Sequence, residues 1–375
     1  MQYLKDLESV VKINSYTKNK RGVDRVGLLF DTWLQDLGYT PKIHKRDAIG
    51  NHRHYLSSHD KFSKKLLLLG HLDTVFPQGK FEEYRVDEKW VYGAGVCDMK
   101  GGNIVLVEAL RALKKEGLDI RNIDILFVSD EESGSDDSKH LTAELAKNYD
   151  YCFVYEAAGK NMEVVTARKG VGTFFIDIEG KAAHAGNHYS DGYDANLELS
   201  YKLQELVKLT DLKRGTTVNV GKIEGGIGAN TISPHAHMVF ELRYTTIDER
   251  QRVLNAVNHI VNTSYVSGTK SKLSGGIQRD VMQQSCESLD LLEDIKRISS
   301  QEILHEARGG VSDANIVSSC GVVTLDGFGP YGDGDHTVHE RADKQSFVSR
   351  IDLSKKLFQY FIQHGDFKKG DSNGK

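Results

Sequence analysis

The chain has 375 residues, 39% hydrophobic and 27% charged, with 49 Lys+Arg against 53 Asp+Glu and a formal net charge of −4. That length exceeds what one hydrophobic core usually supports and predicts two domains. The near balance of charge excludes a strong pull towards nucleic acid or an anionic membrane, leaving small molecules as the expected partners.

The opening MQYLKDLESVV lacks a basic region followed by an apolar core, so no secretory signal is predicted there. No stretch reaches the roughly 18 apolar residues of a membrane span. Cys97, Cys152, Cys286 and Cys320 are scattered, without C-x-x-C spacing, and read as reduced thiols of a cytoplasmic protein.

In chain order, the runs KLLLL (from Lys65), DILFVS (from Asp124) and YCFVYE (from Tyr151) read as buried strands. Between them NIVLVEALRALKKEG has apolar residues at helical spacing and stops at Gly117, and SKHLTAELAKN is a second helix. Alternating strands and helices predict an α/β domain with a largely parallel sheet.

The pattern changes near Lys169. GTFFIDIEG, TVNVGKIEG, HMVFELRYTT and KSKLSGGIQRD read as strands, while NLELSYKLQELVKL and DERQRVLNAVNHIVNTSY read as helices. Their order, β-α-β-β-α-β, is that of the ferredoxin-like split motif. An inserted domain over about residues 169–282 is therefore expected, interrupting a first domain built from residues 1–168 and 283–375. Helices around Leu289 to Glu302 and Lys344 to Gln363 complete the first domain, before a short polar tail, KKGDSNGK.

Metal-type ligands follow each early strand: His71 and Asp73 after LLLLG, Asp130-Glu131-Glu132 after DILFVS, and Glu156 closing YCFVY. GAGVCDMKGG sets Asp98 among glycines. Open α/β sheets bind ligands beyond the carboxyl ends of their strands, so these groups converge on one edge. Taken singly, an H-x-D is weak, an acidic pair is usually a solvated helix start, and Asp98 could stabilise a turn. A carboxylate such as Glu156, however, is costly to bury alone. The matched positions together favour a metal site.

These residues resemble a known family. HLDTV, GAGVCDMKGG, DEESGS and the glutamate after the next strand are similar to the two-zinc exopeptidases and deacylases. That family includes aminoacylases, bacterial glutamate carboxypeptidase and succinyl-diaminopimelate desuccinylase. The resemblance runs nearly the whole length, and TARKGVGTFFIDIEGKAAHAG with glutamate at position 156 points to the glutamate carboxypeptidase branch.

The resemblance implies two zinc ions per chain, with cobalt able to substitute. Residue by residue, it implies His71 and Glu156 on the first ion, Glu132 on the second, and Asp98 bridging both. The last ligand lies in DGDHTVHERAD; His336, followed by Thr337 and Glu340, fits the motif better than His339, and the second histidine keeps the choice open. Asp73 would orient His71, and Glu131 would be the general base. It also implies a non-proline cis peptide at Asp98–Met99. Hard carboxylates with imidazole and no thiolate suit an open catalytic site, and Cys97 reads as a small buried thiol.

His184, in KAAHAG, matches the family histidine that reaches a neighbouring subunit's site, whereas His188 has no such match and reads as surface. Arg243 in FELRY and Asn230 in GGIGANTISP match residues that grip the substrate. Gly310 and Ser312, in GGVSDAN, resemble a loop lining the pocket. The implied enzyme is a zinc hydrolase whose inserted lid also dimerises it. Its implied reaction is carboxypeptidase-type cleavage of a small peptide, with glutamate a candidate product. An N-acyl-amino-acid deacylase is the alternative. A catalytically silent binding protein is a remote third reading, since all five ligand positions and Glu131 are filled.

Overall fold

The computed structural model describes residues 2–368. The chain divides into two compact units: residues 1–167, 284–308 and 312–375 form one, and residues 168–283 with 309–311 form the other. From residue 369 the polar tail lies outside the described residues.

The first unit is built on a six-stranded sheet. Its order is Thr40–His44, His52–Leu56, Ile123–Val128, Leu66–His71, Tyr151–Val154 and Val323–Leu325. The last four strands run parallel. The first two form an antiparallel hairpin joined antiparallel to Ile123–Val128. LLLLGH and IDILFV are buried at every position, as strands covered on both faces must be. The helix Lys100–Lys115 packs against Gln2–Val11 and Lys344–His364. Its start also lies close to a strand end: a Cβ on Gly102 would sit 1.8 Å from the Tyr155 carbonyl oxygen. It ends at Lys115, and Gly117 takes the left-handed turn beyond it (φ 81°).

The hairpin was not legible as apolar periodicity. His52, Arg53 and His54 are buried because each has a polar partner. Arg53 reaches Asp31, His52 reaches Asp137, and His54 Nε2 lies 2.8 Å from the Tyr149 hydroxyl.

The second unit is a four-stranded antiparallel sheet, in the order Thr217–Gly225, His235–Tyr244, Gly170–Glu179, Lys270–Arg279, with helices Ala195–Val207 and Ile247–Asn262. The chain order is β-α-β-β-α-β, as the sequence pattern implies. The buried alternation of HAHMVFELRY packs Met238, Phe240 and Leu242 into this unit's own core. Among the described residues no helix is long and apolar enough to cross a membrane.

Candidate metal centre and active site

Three neighbouring parallel strands deliver the donors. In register, His71 pairs with Val128, and Leu69 pairs with Val154, two residues before Glu156. His71 ends the middle strand, the Asp130–Glu132 segment follows one neighbour, and Glu156 follows the other.

Asp98 lies where these ends meet. Its Oδ1 is 3.1 Å from His71 Nε2 and its Oδ2 is 3.2 Å from His336 Nε2. His71 Nε2 is also 3.7 Å from Glu156 Oε1, and His336 Nε2 is 3.1 Å from Glu132 Oε2. Two imidazole–carboxylate pairs therefore share one carboxylate, one pair at each of its oxygens. Donor atoms of His71, Asp98 and Glu132 all fall within 4.8 Å of one another. Of the two C-terminal histidines, His336 joins this cluster. His339 lines a separate hollow with Phe81, Arg85 and Arg341.

Asp73 is fully buried beneath the donors. His71 Nδ1 lies 3.0 Å from the Asp73 carbonyl oxygen and 3.4 Å from its Oδ1. The Asp73 carboxylate also accepts the N–H groups of Glu131 and Glu132, each at 3.2 Å, and the Thr17 hydroxyl at 2.6 Å. One buried side chain thus fixes a histidine and the acidic pair together. The Asp98–Met99 peptide bond is cis, as expected.

Sequence reasoning used Glu340 only as a motif marker and missed its contacts. Its buried carboxylate accepts the N–H groups of Gly95 and Cys97 at 2.9 Å and of Asp98 at 3.1 Å. Its position four residues after His336 was the available signal. Lys100 was also missed. It is buried, and its ammonium donates to the carbonyls of Val10 and Ile13 at 3.0 Å, tying the N-terminal helix to the Asp98 loop.

The cluster carries more negative charge than its own residues neutralise. Burial first, then the Asp98 charge, pushes Glu132 up to about 8. The same two causes push Glu156 well above the carboxylate range, and Glu131 adds to both. Burial would raise Asp98 too, but its hydrogen bonds with His336 and His71 overcome this and lower it. His336, facing Asp98 and Glu132, rises to about 11. Burial acts to lower His71, yet its contacts with Asp73 and Asp98 hold it well above the usual imidazole range. By themselves Glu132, Glu156 and the two imidazoles are held towards their protonated forms. Divalent cations would supply the missing positive charge, and two imidazoles with three carboxylates are a donor set that suits them.

His184 and Asn230 are exposed on adjacent segments, with Ala185 N donating to Asn230 O at 2.9 Å. The N–H groups of Gly186 and Asn187 both donate to His184 Nδ1 at 3.2 Å, so Nε2 carries the ring hydrogen. Arg243 is held by Glu241 (Nε–Oε1 2.7 Å, Nη2–Oε2 3.3 Å) and by the Gly309 carbonyl (2.9 Å from Nη1). Ser312 is buried, and its hydroxyl donates to Asp326 Oδ2 at 2.7 Å.

Residues 67–360 match the model of peptidase family M20/M25/M40. Carboxypeptidase G2 from a Pseudomonas species is 25% identical over 371 residues, 95% of this chain and 86% of the relative. N-acetyl-L-citrulline deacetylase from Xanthomonas campestris is 31% identical over 191 residues, 48% of this chain and 50% of the relative. A tripeptidase from Staphylococcus aureus shares the fold at TM-score 0.81 and 20% identity, covering 96% of this chain and 98% of its own.

Proposed function

This chain belongs to peptidase family M20/M25/M40 and is a metal-dependent hydrolase of peptide or amide C–N bonds; on that premise we propose a carboxypeptidase-type exopeptidase. Its substrate would be a small peptide with a free carboxylate, and glutamate is the candidate amino acid released. The relative spanning 95% of the chain carries the carboxypeptidase name, which supports this reading over the deacylase one.

The observation that carries the proposal is the division of Asp98 between two imidazole–carboxylate pairs. Two divalent cations, zinc with cobalt able to substitute, would polarise the scissile carbonyl and make hydroxide available near neutral pH. His71 and Glu156 would hold one, Glu132 and His336 the other, and Asp98 would serve both. Glu131 takes the proton of the attacking water and delivers it to the leaving nitrogen. Asp73 keeps the acidic pair and His71 in register. His184, with its hydrogen on Nε2, is the donor for the developing oxyanion. Arg243 and Asn230 recognise the substrate, and Arg243 still has N–H donors beyond those given to Glu241 and Gly309 for a carboxylate.

We infer that the enzyme is a homodimer through residues 169–282, the lid, with His184 serving the partner's site. Supporting this, Thr217–Gly225 is an edge strand with exposed Ile223, which lines an open hollow with Leu199 and Leu203 of the adjoining helix. The same reading places the protein in the cytoplasm.

The deacylase relative at 31% identity keeps a second reading in play. A panel of dipeptides, folate-type glutamates and N-acyl amino acids separates them. Carboxypeptidase activity predicts turnover of the first two classes, lost when the terminal carboxylate is amidated. Preference for N-acyl amino acids would establish the deacylase instead.

A further inference from the structure

The strand His52–Leu56 carries His52, which is fully buried and contacts both ends of a single loop. Ser129 N donates to His52 Nδ1 at 3.1 Å, and His52 Nε2 lies 2.9 Å from Asp137 Oδ1. A backbone N–H can only donate. Nδ1 is therefore the acceptor, and the neutral ring carries its hydrogen on Nε2, directed at Asp137.

Between those two anchors lie Glu131 and Glu132. The loop contains two residues with positive φ, Gly134 at 99° and Ser135 at 56°. Its middle is held by Asp73, and its far end is folded back by Asp130, whose Oδ2 accepts Asp137 N at 2.9 Å and Ser138 N at 3.2 Å. Arg46 also binds Asp137 Oδ1. Among the described residues, His52 is the side chain that joins the loop's first residue to the Asp137 carboxylate.

We propose that His52 is a positioning residue for hydrolysis. By tying Ser129 to Asp137 it sets the height and spread of the loop that presents Glu131 and Glu132. This rests on the roles proposed for those two glutamates. A buried N–H without its acceptor is strongly disfavoured, so losing Nδ1 would shift the loop, and displacement near an ångström is costly in turnover.

Three variants separate the two ends of the strut. In His52→Asn the side-chain oxygen lies near the Nδ1 position and can still accept from Ser129. In His52→Gln the amide nitrogen lies near Nε2, so Asp137 keeps its donor while Ser129 loses its acceptor. Asp137→Ala acts on a side chain that is 41% exposed and leaves no buried cavity. In chelator-treated protein, exchange of the Ser129 amide should quicken about tenfold or more in His52→Gln and stay near wild type in His52→Asn. With metal restored, kcat should fall about tenfold or more in all three variants with little change in KM, because each severs one end of the strut. Equal Ser129 exchange in the Asn and Gln variants, or unchanged kcat in both His52→Gln and Asp137→Ala, would overturn the proposal. Hydrolysis absent from the wild type as well would overturn the reaction assigned to the site, a failure distinct from loss of the exchange pattern.

Discussion

The backbone N–H of Asp98 donates to Glu340 Oε1 at 3.1 Å, so the residue whose carboxylate faces both His71 and His336 has its backbone held by a second, buried carboxylate. Glu340 also accepts from Gly95 and Cys97, fixing the loop that leads into the shared residue. Glu340→Gln places an amide N–H among these donors. Zinc affinity, read by competition with a chelator, should drop about 10–100-fold while the protein remains folded. Unchanged affinity would mean that Asp98 is positioned without Glu340.

The charge crowding has a consequence for stability without metal. Burial is the first cause raising both Glu340, to about 7, and Glu132, to about 8. An acid raised on folding contributes stability below its unfolded value, near 4.5, and that contribution is lost as pH rises through the folded one. Chelated protein should therefore melt at progressively lower temperature between about pH 5 and pH 8. Saturating zinc, by displacing those protons, should flatten or reverse the trend. A chelated protein that grows more stable over this range would contradict the assignment.

The adjacent glutamates separate base from ligand. Glu131→Ala should lose about two to four orders of magnitude in kcat and keep its metal content. Glu132→Ala should lose metal from one position. Metal analysis beside kinetics decides it, and the reverse pattern would show the pair to be assigned backwards.

Much of this was legible in the sequence, for reasons that differ from residue to residue. Strands such as Leu66–His71 are buried on both faces, so their apolar runs mark them directly, and the ligands that follow sit where a parallel sheet places them. The hairpin through His52–Leu56 is buried through hydrogen bonds and ion pairs, which leave no apolar period to read. Glu340 and Lys100 act on backbone groups that only the folded loop brings within reach. The Ser312 hydroxyl is taken by Asp326, fourteen positions away, a partner that motif matching does not supply.

The lid proposal predicts complementation. His184→Ala and Glu131→Ala are each expected to be inactive. In a mixed dimer, one site would combine an intact Glu131 with an intact His184 from the other subunit, so part of the activity should return on subunit exchange. No recovery despite demonstrated exchange would place His184 in its own chain's site or outside catalysis.

Metal dependence is the most direct test of the site, because His71, Asp98, Glu132, Glu156 and His336 are assembled as one donor cluster. The deciding measurement is metal content per chain followed alongside hydrolysis of a dipeptide with a free carboxylate, through chelation and stepwise return of zinc or cobalt. Activity should vanish with the metal and return as about two ions per chain are bound. Full turnover after exhaustive metal removal would contradict the central claim.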